Sequence, residues 1–147
     1  ATRPVGQTFG GASMNKGGKM ITVYHAKDMF ESPASGFEEV AVVNVDNLND
    51  AFRLTNNIEG SWSMGSEIEV DGEMVVNEDY DERVEVKKEL HINHHGDGKT
   101  LGLRSTSSGD VFFDGISHYF LVPFSFGGVK KIDNFSLEGF EYKEERI

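Results

Sequence analysis

The sequence predicts an α+β fold, mainly an antiparallel β-sheet with one short helix and an acidic, β-containing insertion. Three observations lead there. Short runs of β-branched and aromatic residues recur with period 2 from residue 20 onward. One stretch, within residues 46–57, changes to the helical period. Residues 66–99 hold a strongly acidic excursion. The chain has 147 residues, 37% of them hydrophobic, with 11 Phe, 4 Tyr and 1 Trp. That is enough for one core and too little for two.

The elements follow in order. Residues 1–19 form a basic, Gly-rich arm, expected to be flexible; Arg3, Lys16 and Lys19 are its charges. It is either a solvated tail or an arm that orders on a partner. Residues 20–147 form the single α+β domain. Met20–Tyr24 (M-I-T-V-Y) alternates and reads as a strand. Residues 27–37 contain Ser32, Pro33, Ser35 and Gly36 and read as a loop. Glu39–Val45 is a second, more apolar strand suited to a central position. In Asp46–Asn57, Leu48, Ala51, Phe52 and Leu54 lie on or near one helical face, which places Phe52 and Leu54 in the core. Asp46 or Asn47 caps the start, and Asn56-Asn57 stops it.

Ile68 and Val70 before Asp71-Gly72 predict a hairpin. Val84, Val86, Leu90 and Ile92 keep period 2 and predict another strand, followed by a turn at Gly96-Asp97-Gly98. Asp110–Phe113 and Ile116–Pro123 flank Asp114-Gly115 and predict a central hairpin, because both faces are apolar. Phe124–Gly128 is a bend. Asn134–Tyr142 alternates Phe135 and Leu137, then Phe140 and Tyr142. It reads as a strand with a bulge at Gly139.

Composition excludes several function classes. The absence of Cys removes disulfide scaffolds, thiolate metal sites and Cys nucleophiles, and fits a reducing compartment. No apolar run approaches about 18 residues, so a soluble protein without membrane association is expected. The net charge is −11; the three cations of the arm leave −14 for residues 21–147. Such a surface repels phosphate backbones and suits basic protein partners.

Two stretches carry a resemblance. One is Ala51-Phe52-Arg53-Leu54-Thr55-Asn56-Asn57-Ile58 with Trp62. The other is Leu103-Arg104-Ser105-Thr106-Ser107-Ser108-Gly109-Asp110-Val111, followed by a hydrophobic strand and Phe124-Ser125-Phe126-Gly127. This pattern resembles uncharacterised small proteins of tailed bacteriophages and some plasmids. It covers roughly residues 21–65 and 101–128. Ser108 stands where that pattern has Val, the segment between Trp62 and Arg104 is longer and more acidic, and the basic arm is additional. The resemblance implies a mobile-element origin and a fold, without a reaction.

The second motif also has a direct physical reading. Its hydroxyls bond the local backbone, Gly109 permits a tight turn, and Asp110 pairs with Arg104 at a strand entrance. The alternative is a small anion site built from Arg104, Ser105, Thr106, Ser107 and Asp110. Elsewhere, His91, His94 and His95 with Asp97 would gather on a helix. On a strand ending in a loop their rings scatter, so a solvated turn is expected. Asn77, Asp79 and Asp81 have the opening spacing of a calcium loop, but Glu82 and Lys88 stand where Gly and Glu are required. No nucleophile elbow or P-loop occurs. The expectation is therefore a non-enzymatic protein without a cofactor.

Ten carboxylates against Arg83, Lys87 and Lys88 give residues 66–90 a balance of −7. Glu67, Glu69, Glu73, Glu78, Asp79 and Glu82 are the predicted contacts to a host or viral protein with a basic surface. The leading reading is a phage-encoded accessory protein that binds and modulates a host protein in the host cytoplasm. A second is a capsid-decorating virion protein held by its arm; a homo-oligomer is a further expected assembly. A third, opposed by charge, is single-stranded nucleic-acid binding with Phe112, Phe113, Tyr119 and Phe120 stacking on bases.

Overall fold

The computed structural model describes residues 20–92, 100–123 and 128–143. Along the chain come β1 (Ile21–Ala26), a 3-10 turn (Met29–Glu31), β2 (Phe37–Val43) and α1 (Leu48–Leu54). Then follow β3 (Glu67–Val70), β4 (Glu73–Val76), β5 (Val84–Val86), β6 (His91–Ile92) and β7 (Thr100–Leu101). The last elements are β8 (Val111–Phe113), β9 (His118–Leu121) and β10 (Val129–Ile132). The fold is α+β and mainly antiparallel β. Six strands form one sheet in the order β10-β9-β8-β1-β2-β5, while β3–β4 and β6–β7 are separate two-stranded pairs.

Period 2 explains why the central strands are apolar throughout: both faces of the sheet are covered. On one face Ile21, Val23, Ala41, Val43, Phe112 and Leu121 pack against Ala51 and Leu54 of α1 and against Trp62. On the other, Ala26, Phe37, Val111, Phe120 and Val122 pack beneath Phe135, Phe140 and Tyr142. Truncating a buried aromatic such as Trp62 or Phe120 to Ala would cost about 3–5 kcal/mol.

Helix α1 starts where its cap dictates. The Asn47 side chain accepts the Asp50 N–H at 2.8 Å, so Asn47, not Asp46, is the N-cap. Ala51 and Leu54 face the sheet; Phe52 lies outside that stripe and is 40% exposed, against the core position predicted for it.

Three further expectations are corrected. Residues 134–142 form no strand: Gly139 N–H bonds Ser136 O in a turn, and the segment crosses the sheet face irregularly. The alternation there reflects aromatic docking. Phe37 stacks on Phe140 at 5.5 Å and meets Phe135 at 5.4 Å. Gly139 has φ +114, and a Cβ would come within 2.6 Å of the Ala34 carbonyl oxygen, so it is a close-approach glycine rather than a bulge. The edge is instead β10, Val-Lys-Lys-Ile, whose two lysines hide its strand character.

The β8–β9 hairpin is central as predicted, but Phe113 pairs with His118, leaving Asp114–Ser117 as a four-residue loop. Asp114 Oδ1 accepts from both Ile116 and Ser117 N–H at 2.8 Å, which favours the longer turn over the two-residue one. The single strand expected over Val84–Ile92 divides into β5, in the main sheet, and β6, paired with β7. The arm at 1–19, the Gly96–Gly98 turn, the bend at 124–127 and residues 144–147 lie outside the described residues.

Candidate functional site

The two motifs fold onto one another. Thr106 N–H donates to Thr55 O at 2.9 Å, Asn57 N–H to Ser105 Oγ at 2.8 Å, and Trp62 Nε1–H to Arg104 O at 2.8 Å. Asn57 Nδ2–H also reaches Leu103 O at 3.0 Å. At the centre, Arg104 and Asp110 form a two-pronged pair, Nη1 to Oδ2 and Nη2 to Oδ1, both 2.7 Å. Asp110 is fully buried and also accepts from Ala26 and Ser107 N–H at 2.8 Å.

The predicted Arg104–Asp110 pairing is thus formed, and it engages both Nη groups. The remaining Nη–H groups donate to Ser105 O at 3.0 Å and Ala26 O at 3.2 Å. All four Nη–H donors are then used, so no fork is left for an outside anion. Ser105 Oγ accepts from Asn57 N–H, Thr106 Oγ1 pairs with His25, and Ser107 N–H donates to Asp110, so these groups tie the turn to its surroundings.

His25, on the same sheet face as Val23, lies against this pair. Its Nε2 shares a 2.9 Å hydrogen bond with Thr106 Oγ1 and stands 4.0 Å from Asp110 Oδ2. Its ring meets Trp62 edge-on at 6.1 Å. Burial pushes the imidazole down to about 4, overcoming the pull of the Asp110 carboxylate, and Arg104 adds to the depression. The same ring nitrogen faces both oxygens, and His25 and Thr106 are buried. The geometry is that of a packing knot rather than a nucleophile–base pair.

The acidic segment is built differently. Asp71 and Gly72 have φ of 52 and 85, the two left-handed residues of a type I′ turn, and hold β3 against β4. Glu67, Glu69, Met74 and Val76 share one face of the ribbon; Ile68, Val70, Glu73 and Val75 share the other. All except Ile68 are exposed. The ribbon's base is fixed by Asn77, which is buried. Its Nδ2 donates to Ser61 O and Gly65 O at 2.7 Å, and its Oδ1 accepts from Ser61 N–H at 2.9 Å. A Cβ at Gly60 would collide with Asn77 Oδ1, so that position needs glycine.

Asp79 completes the clamp. Its Oδ2 accepts from three successive N–H groups, Ile58 at 2.6 Å, Glu59 at 3.0 Å and Gly60 at 2.7 Å. Desolvation raises the carboxyl's pKa, but these donors outweigh it and hold the group below the ordinary carboxylate value. Asp81 is also held low, chiefly by the Arg83 side chain, its 2.8 Å ion-pair partner.

Of the predicted contact residues, Glu67, Glu69, Glu73, Glu78 and Glu82 are exposed. Asp79 is half-buried, its Oδ2 engaged by the backbone of residues 58–60. Asn77 was overlooked as an anchor; Asn-x-Asp directly after a strand is its signal, since such side chains bond nearby backbone. The four aromatics proposed for base stacking do not share a face. Phe112 and Tyr119 project to the α1 side and Phe113 and Phe120 to the other, with Phe112 and Phe120 buried. The side chains of the His91, His94, His95 and Asp97 group lie outside the described residues. Among the described residues, no three His, Asp or Glu gather as a metal set, and no helix is long and apolar enough to cross a membrane.

No protein-family model, curated protein or solved structure matches the chain.

Proposed function

We propose that the chain is a non-enzymatic accessory protein of phage origin that binds a host protein through its acidic ribbon and modulates it. One observation carries this reading: β3–β4 is an exposed, sharply defined ribbon whose base is locked by Asn77 and Asp79. A rigid ribbon loses little freedom on docking. Its faces mix Glu67, Glu69 and Glu73 with exposed Val70, Met74, Val75 and Val76. Carboxylates steer a basic partner, and the apolar side chains supply area once water is expelled. The phage origin rests on the resemblance of the two motifs.

The test is capture of a partner from host lysate with the full chain. Association is then timed for the parent and for a variant with Glu67, Glu69, Glu73, Glu78 and Glu82 changed to Gln. The variant should associate at least about tenfold more slowly at low salt, and the parent should slow as salt screens its charges. Equal rates would make the ribbon a solvated surface only.

A further inference from the structure

A second, separate feature pairs a knob with a hole. Phe30 is 98% exposed, the most exposed large apolar side chain among those described. Its loop is nonetheless firmly built. Asp28 Oδ1 accepts the Phe30 N–H at 2.9 Å, Ser32 Oγ–H donates to Gly109 O at 2.6 Å, and Phe140 N–H donates to Pro33 O at 3.0 Å. The ring is therefore presented to solvent by a fixed backbone, as an interface anchor is.

The hole is a cavity of about 340 Å³ between α1, the Ser-rich turn and the β9–β10 edge. Leu48, Phe52, Leu121 and Val129 line it, with Ser107 and Ser108 at its polar side. A cavity of about 150 Å³ already holds benzene, so this one accepts a phenyl ring with room for a neighbour such as Met29. It also accounts for the exposure of Phe52, which lines the hole instead of entering the core.

Knob and hole flank one turn. Ser107 and Ser108 line the cavity, while Gly109 takes the hydroxyl of Ser32 from the knob loop. Complementary features that flank one turn suit a two-fold interface, in which each copy gives its knob to the other. Charge agrees. Exposed Asp28 and Glu31 outweigh Lys27 beside the knob, whereas exposed Lys131 projects from the same strand face as Val129 at the hole.

We propose that the chain forms a closed homodimer in which Phe30 of each copy fills the Leu48–Phe52–Val129 cavity of the other. This is independent of the acidic ribbon. Sedimentation of the full chain over a concentration series tests it. The parent should dimerise. Phe30→Ser, which removes nothing from the fold, should weaken the dimer roughly 30-fold or more, as loss of an interface anchor does. Ser108→Trp, which plugs the hole from within its own chain, should do the same. An equimolar mixture of the two variants should recover an intermediate dimer, because one knob and one hole remain intact. Lys131→Glu should weaken the parent dimer, and adding Glu31→Lys should restore it. A parent that stays monomeric throughout overturns the proposal, as does a dimer indifferent to both variants or a mixture that recovers nothing. If the parent is monomeric while Phe30→Ser loses a captured partner, the knob serves another protein.

Discussion

The Arg104–Asp110 knot and the β3–β4 ribbon are both polar, and they spend their polarity in opposite directions. In the knot, Asp110 is fully buried and every Nη–H donor of Arg104 bonds inside the chain. In the ribbon, Glu67, Glu69 and Glu73 are exposed, while the base bonds inward through Asn77 and Asp79. Charge used internally holds a fold; charge left outside is available to a partner. The two regions should therefore separate cleanly under mutation, one moving stability and the other association.

The knot gives the largest effect. Arg104→Ala leaves the buried Asp110 carboxylate without its counter-charge and should cost about 3–5 kcal/mol in denaturant unfolding. A loss under 1 kcal/mol would show the pair to be ornamental and erase the contrast. Next comes His25. The unfolded imidazole titrates near 6.5 and the folded one near 4, so the unfolded chain binds the extra proton between those values. Stability is full above about pH 6.5 and falls by roughly 3 kcal/mol as pH drops to about 4. His25→Gln should remove most of that slope. His118, which burial also holds below its ordinary value, contributes in the same direction.

The ribbon base is intermediate. Asn77→Ala removes five side-chain hydrogen bonds at a buried site and should cost about 2 kcal/mol, with amide exchange rising first in residues 58–66 and 73–79. Asp79 sharpens the point through pH. Its carboxyl is held low, so its contribution is present above the ordinary carboxylate range and is lost as pH falls through its lower folded value. The smallest stability effect belongs to the ribbon's outer carboxylates. Changing Glu67, Glu69, Glu73, Glu78 and Glu82 to Gln should alter unfolding by no more than about 0.5 kcal/mol. A larger loss would mean that the ribbon, too, spends its charge inside.

Much of this architecture was legible from residue types alone. Local chemistry was the reliable part: the strand expected over Met20–Tyr24, the helix capped at Asp46 or Asn47, the Asp71-Gly72 hairpin and the Arg104–Asp110 pair each depend on neighbours in sequence. What stayed hidden depends on distant ones. Phe135 and Phe140 alternate like a strand because they dock on Phe37, far away in the chain. Phe52 fits a helical face, yet the sheet meets Ala51 and Leu54 instead. Asp79 looks like one more surface acid until the loop at residues 58–60 folds over it. The same limit applied to the knob and hole, whose parts lie on five separate segments.

The strand order has a bearing on how the protein is made. β1 emerges early and pairs with β2 at once, but its other edge waits for β8, synthesised far downstream. Until Val111–Phe113 leaves the ribosome, Thr22–Tyr24 offers an open backbone edge, and neither Phe37 nor Ala26 has its aromatic cover. Such non-local closure slows folding and prolongs exposure to aggregation. The nascent first hairpin is thus the stage at which a chaperone would matter most, and slowed translation between residues 44 and 110 would lengthen it.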